Sequence, residues 1–259
     1  MKRKRTPTAI VVALIGSISL ILTTILTVVL TPVLQHLLDN KNTKTADAVN
    51  TALPADSEYA AKLLSEARQW PLIVKDEFDT NKLNWPEGNT IDQNIDATRT
   101  VANSSYSWRL KAKAYSANVW AEPNIATMPN FYVAVDIRSV KQLDNLASAL
   151  GFRDQGASIH YDFMIFADQH FAIHYRGQGQ KSSTSLASLS SQYIQPLENN
   201  RLAVIGLGSQ FWFYINDVFV DYLADDKIAT GSFGLAMAVK NIGDEGFIEF
   251  DNFELRKPP

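Results

Sequence analysis

Cysteine is absent from this 259-residue chain, which excludes a disulfide framework, thiolate chemistry and any cysteine-based metal site. Histidine is scarce, with four in all, so histidines that fall close together stand out. The chain has no G-x-x-x-x-G-K-[S/T], no G-x-G-x-x-G, no H-E-x-x-H and no G-x-S-x-G. That removes the common signatures for nucleotide binding, zinc proteolysis and serine hydrolysis. Basic charge is also missing from most of the chain. The formal net charge is −3, and four of the cations sit together at Lys2, Arg3, Lys4 and Arg5. The acidic remainder lacks the basic footprint that nucleic acid or an anionic lipid surface requires, so no nucleic-acid partner is expected.

What is present begins with a long apolar run. Ala9 to Leu30 (AIVVALIGSISLILTTILTVVL) holds 22 residues without a charge. As a helix it would extend about 33 Å, enough for a bilayer core of about 30 Å. It is longer than the apolar region of a secretory signal and no small-x-small cleavage site follows it. The expectation is an uncleaved signal-anchor over 9–30. A tail of residues 1–8 would lie in the cytoplasm, because the KRKR cluster marks the inner side. The rest would form an ectodomain outside the cell.

Residues 39–54 (DNKNTKTADAVNTALP) have linker composition. A short helix is expected over about Asp56 to Gln69, within a linker-and-stalk segment 31–71. Asp56 or Ser57 can cap it, Glu58 suits its first turn, and Ala60, Leu63, Leu64 and Ala67 form one apolar stripe. From Trp70-Pro71 onward helical spacing gives way to short alternating runs between Gly, Asn, Asp and Pro, the pattern of an all-β sandwich over 72–259. Phe131, Val133, Val135 and Ile137 alternate with Tyr132, Ala134 and Asp136. Ile159, Tyr161, Phe163 and Ile165 alternate with His160, Asp162 and Met164. Phe211, Phe213 and Ile215 lead to Asn216-Asp217, a tight-turn pair before Val218 and Val220. The serine-rich Lys181 to Ser191 reads as a loop or weak edge strand.

The order of landmarks carries a family resemblance. Asp76, Phe78 and Asp79 form an opening D-x-F-D with Trp85 close behind. Gly151-Phe152-Arg153 precedes the Y-x-F-x-I strand at Tyr161 to Ile165. Phe211 to Asn216 reads F-x-F-Y-I-N, Gly231 to Leu235 reads G-x-x-G-L, and Phe250 to Phe253 reads F-D-N-F. Over residues 72–259 the chain resembles the concanavalin A-like lectin/glucanase (laminin-G-like) jelly-roll superfamily. Within it, the chain is similar to the bacterial 3-keto-disaccharide hydrolase-like domain group. The resemblance implies a two-sheet antiparallel jelly roll, and it speaks to fold more than to activity.

Three sets of residues are candidates for function. The first is EFDNFE, Glu249 to Glu254, whose E-x-D-x-x-E spacing resembles the catalytic strand of retaining β-glucanases. A bulge at Asp251-Asn252 would return Phe253 and Leu255 to the core and leave Glu249, Asp251 and Glu254 on the outer face. Two carboxylates about 5–5.5 Å apart would suit a retaining mechanism. The core requirement for Phe250, Phe253 and Leu255 explains the same spacing without chemistry. The second is a structural calcium site, which the resemblance places where first and last strands meet. Asp76, Glu77, Asp79 and Asp251 would supply its oxygen ligands, and no other cofactor is implied.

The third set is a polar face. Pairing Ile165 with Phe171 and Phe163 with Ile173 sets Asp162 opposite His174 and His160 opposite Arg176, away from the core. This face reads as a solvated outer surface, a sugar-binding floor, or a His/Asp metal or acid–base site. Trp85, Trp108, Trp120 and Trp212 are candidate sugar platforms, with Trp120 favoured because Ala121-Glu122-Pro123 reads as a loop rim. The expectation is a membrane-anchored binding module for a glycan or another surface ligand, through Trp120, His160, Asp162, His174 and Arg176, without catalysis. The alternatives are an anchored glycoside hydrolase and a protein-interaction module.

Overall fold

The computed structural model describes residues 57–259 apart from Ala157 and Lys181. The expected tail 1–8, the span 9–30 and the linker up to residue 56 lie outside these. Among the described residues no helix is long and apolar enough to cross a membrane. The described chain forms one helix and fifteen strands.

Two antiparallel sheets face each other. The larger has nine strands. Its path runs β13 (Val218–Ala224), β12 (Gln210–Ile215), β11 (Asn200–Leu207), β6 (Phe131–Ser139), β15 (Glu245–Arg256), β4 (Ser105–Ala112), β3 (Ile95–Ala102) and β2 (Gly88–Ile91), with β1 (Leu72–Asp76) added along β15. The smaller has six, in the order β10 (Thr184–Ser190), β9 (His170–Arg176), β8 (His160–Phe166), β7 (Leu146–Asp154), β14 (Ser232–Val239) and β5 (Ala117–Ala121). This is the all-β sandwich that the alternating runs predicted. The serine-rich stretch supplies edge strand β10. Asn216 and Asp217 both take positive φ and close the β12–β13 hairpin.

The inner faces interlock through aromatic side chains. Phe152 packs on Phe211 and Phe213, Phe163 on Phe213, and Phe131 on Phe233. A second run of rings, Phe78, Trp85, Tyr106, Trp108, Phe250 and Phe253, fills the end where β1 and β15 meet. Trp85, Trp108 and Trp212 are at most 2% exposed, so the structure corrects the reading of these three as sugar platforms. Each is large apolar surface placed in a core, which is where most tryptophans gain most.

The expected helix spans Ser57–Ala67, here α1, a little shorter than its sequence estimate. Its stripe of Ala60, Leu63, Leu64 and Ala67 is buried. The helix rests on the outer face of the nine-stranded sheet, against Tyr132, Ala134, Ala203, Ile205, Trp212 and Tyr214. The Tyr214 hydroxyl donates to the Ala60 carbonyl at 2.9 Å. This contact explains why β6, β11 and β12 are buried on both sides for most of their length.

Candidate functional site

The outer face of the six-stranded sheet carries the candidate site. Strands β8 and β9 pair His160 with Arg176, Asp162 with His174, Phe163 with Ile173 and Ile165 with Phe171. That is the register the sequence predicts. Phe163, Ile165, Phe171 and Ile173 enter the core, so the period of two turns the polar set outward. The neighbouring strands contribute almost no side chain to this face. β7 offers Ala147, Ala149 and Gly151, and β14 offers Gly234, Ala236 and Ala238 across from them.

Trp120 of β5 fills the space those small residues leave. A Cβ on Gly151 would lie 1.9 Å from its ring atom Cη2, and one on Gly234 would lie 2.3 Å from Cζ2. The indole therefore needs glycine at both positions. Its ring stacks on His160, with centroids 4.6 Å apart and planes 18° from parallel. Its Nε1–H donates to Glu122 at 2.7 Å. Trp120 is thus half-buried and oriented, and it joins the polar face instead of standing on a separate loop rim.

His160 and Asp162 are 8% and 7% exposed, yet neither is fully paired. His160 Nε2 stands 3.1 Å from Asp162 Oδ2. The other atom of each, His160 Nδ1 and Asp162 Oδ1, is buried without a protein partner, and so is Arg176 Nε. A buried polar atom left unpaired costs on the order of 1–3 kcal/mol, so three on one small face need an explanation. Burial lowers the His160 pKa, but the hydrogen bond and charge of Asp162, helped by Asp154, outweigh it and leave it raised. Burial dominates at His174 and lowers its pKa, with Asp162 acting the other way.

Two carboxylates that the sequence reading did not select complete the cluster. Arg153 adopts a φ of 53° and forms a bulge, with Phe152 facing Phe233 and Asp154 facing Ser232 across β14. The Arg153 guanidinium turns into the sandwich rim over the Phe211 ring and donates to the carbonyls of Pro129, Gly208 and Ile228. The extra residue switches Asp154 to the His160 side, where strict alternation would have buried it with Phe152. There Asp154 meets Glu122. Burial, then the hydrogen bond and charge of Glu122, push the Asp154 carboxyl up to about 7. Asp154 therefore still holds its proton close to neutral pH, as a buried carboxyl beside another carboxyl does. The only trace in the sequence is the aspartate directly after G-F-R; the positive φ that redirects it has no signature there.

The acids of β15 stand in a different setting. The register slips between Asp251 and Glu254, with Asn252 at a φ of 49°. Phe253 and Leu255 are fully buried, so the expected bulge is present. Glu249, Asp251 and Glu254 do share the outer face of the nine-stranded sheet. Each glutamate is engaged by arginine there. Glu249 accepts from Arg138 Nε at 3.1 Å. Glu254 accepts from Arg201 Nη2 at 2.7 Å and also from Arg256. Arg201 further binds Asp136 at 2.8 Å. Burial raises the Asp251 pKa, with Asp136, Glu77 and Asp79 adding to it.

Asp76 is fully buried and its two oxygens face donors. Oδ1 accepts from the Phe78 amide at 3.1 Å and Oδ2 from Trp85 Nε1 at 3.0 Å. The opening D-x-F-D…W motif thus ties β1 to the aromatic end of the core. Asp79 accepts from Ser104. Among the described residues no group of three or more His, Asp or Glu is placed to hold a metal ion.

No sequence-family model matches the chain, and no curated protein matches it in sequence. Solved structures do resemble it. A carbohydrate-binding module, CBM66 from Bacillus subtilis, superposes with a TM-score of 0.51 at 18% identity, covering 72% of this chain and all of that one. The catalytic domain of an endo-1,3-β-glucanase (laminarinase) from Thermotoga petrophila RKU-1 gives 0.50 at 12% identity, covering 73% and 98%. An endo-β-galactosidase from Clostridium perfringens that releases GlcNAcα1-4Gal gives 0.53 at 12% identity, covering 73% and 63%. At these identities the likeness concerns fold. The chain shares its two-sheet antiparallel β-sandwich fold with a carbohydrate-binding module and with endo-glycanases.

Proposed function

We propose that this protein is a carbohydrate-binding module, held at a membrane by residues 9–30, that recognises an extracellular glycan on the outer face of its six-stranded sheet. The observation that carries this reading is the trio of unpaired buried atoms, His160 Nδ1, Asp162 Oδ1 and Arg176 Nε, beside an oriented indole. Sugar hydroxyls both donate and accept, so they match such a set. An aromatic ring beside them supplies apolar contact for the sugar's C–H faces. Binding without catalysis is favoured because the two glutamates of the glycosidase-like β15 set, Glu249 and Glu254, are held by Arg138, Arg201 and Arg256. A general acid in a glycosidase instead needs a carboxyl kept protonated.

Glycan-array profiling of the full-length chain, followed by calorimetry on the best ligand, tests this. Trp120→Ala and Asp162→Asn should each weaken binding at least about tenfold, or about 1.4 kcal/mol. Absence of binding to any glycan, or unchanged affinity in both variants, would refute the proposal. Reducing-sugar release that disappears in Glu249→Gln would establish the hydrolase instead.

A further inference from the structure

Building on the binding reading, we infer that this face discriminates by charge: it takes an uncharged sugar unit presenting two neighbouring hydroxyls and refuses carboxylated or sulfated sugars. The unpaired atoms define the requirement. Asp162 Oδ1 can only accept, and Arg176 Nε can only donate. A carboxylate or sulfate offers acceptors alone, so it could serve Arg176 but would leave Asp162 unmatched. An ammonium offers donors alone and would leave Arg176 unmatched while facing its charge. A hydroxyl both donates and accepts, and two adjacent hydroxyls serve Asp162, Arg176 and His160 Nδ1 together.

The surroundings reinforce the choice. Asp162 is on β8, Asp154 at the end of β7, and Glu122 just past β5, with Ser232 of β14 3.5 Å from Glu122. The basic groups on the face are Arg176 and the imidazoles of His160 and His174. This end of the face therefore carries three carboxyl groups, linked through His160 and Asp154, beside one permanent cation, Arg176. His160 is engaged through Nε2 by Asp162, so its charge is already partly answered. Asp154, raised by burial and by the neighbouring Glu122, keeps its proton in mildly acidic solution and sheds it above about 7, which makes the exclusion of anions strongest at alkaline pH. A neutral diol meets the same partners in either state, because it can donate to or accept from His160 Nδ1.

The test uses the full-length chain and an array of neutral, carboxylated and sulfated glycans, read at pH 5.5 and pH 8. Binding should be confined to neutral members, with the carboxylated analogue of the best ligand at least about tenfold weaker at pH 8 (about 1.4 kcal/mol). That gap should narrow at pH 5.5. Glu122→Gln changes an exposed side chain, so its folding is secure, and it should narrow the gap at pH 8. Asp154→Asn should do the same by removing the other half of the pair. Acidic glycans binding as well as neutral ones, or a gap that neither pH nor either variant alters, would overturn the charge selection while leaving glycan binding intact. Failure to bind any glycan would sink both.

Discussion

The two outer faces of the sandwich hold similar residues and treat them in opposite ways. On the nine-stranded sheet, five carboxylates are matched with arginine. Arg109 meets Asp96 and Glu245, Arg138 meets Glu249, and Arg201 lies between Asp136 and Glu254. On the six-stranded sheet, Glu122 and Asp154 face each other, and His160, Asp162 and Arg176 each keep an unpaired buried atom. Matched charges close a surface and need nothing more. Unmatched ones are tolerated only where the rest of the fold carries their cost, as at sites prepared for a ligand. Acids at a suggestive spacing are weak evidence of function once arginine answers them.

The largest test of this contrast is Arg201→Met. Removing the arginine leaves Asp136 with only Asn252 and Glu254 with only Arg256 on a partly buried face, so the chain should lose about 3 kcal/mol of stability. Chemical denaturation measures it, and glycan binding on the other face should be unchanged. Next comes Gly151→Ala, whose methyl group would collide with the Trp120 ring. A loss of about 1–3 kcal/mol is expected for overpacking, with a changed tryptophan fluorescence spectrum as the ring leaves His160. An Arg201→Met variant that kept full stability, or a Gly151→Ala variant with an unchanged spectrum, would break the distinction between the faces.

A pH series sharpens it. The folded Asp154 carboxyl titrates at about 7, above its ordinary 3.8, so the folded state keeps a proton that the unfolded chain has released. Its contribution to stability is fully present below about pH 4 and is lost as the pH rises through 7. The raised His160 acts in the same direction near neutrality, and the lowered His174 acts against it. Asp154→Asn should therefore flatten the decline and stabilise the protein at pH 8 by about 1–2 kcal/mol, measured by denaturation across pH. The smallest effect is expected from Glu249→Gln. Its pair with Arg138 is partly exposed, so the change in stability should stay within about 1 kcal/mol, with no effect on glycan binding.

Much of the fold was legible in the sequence because apolar side chains repeat with period two and must share one side of a sheet. That rule fixed the β8–β9 register and, together with the need to bury Phe253 and Leu255, the bulge in β15. The same rule hid Asp154, since an aspartate two residues after the core residue Phe152 counts as inward unless a residue is inserted. Arg153 is that residue, and its positive φ depends on carbonyls of Pro129, Gly208 and Ile228 that lie far away in the chain. Trp120 lies on the polar face, which the loop-rim reading of its sequence does not explain. Its position depends on Gly151 and Gly234 in two other strands, which sequence distance does not connect.

The sequence by itself determined the two-sheet sandwich, the short amphipathic helix and the composition of the His160–Asp162–His174–Arg176 face. These follow from local periodicity, which each segment carries within itself. Only the tertiary structure decided which acids are answered by arginine and which are left facing one another. It also decided that a single bulge turns Asp154 outward and that two glycines make room for an indole. Charge pairing and close packing depend on groups brought together from distant strands, and no local pattern records which of them will meet.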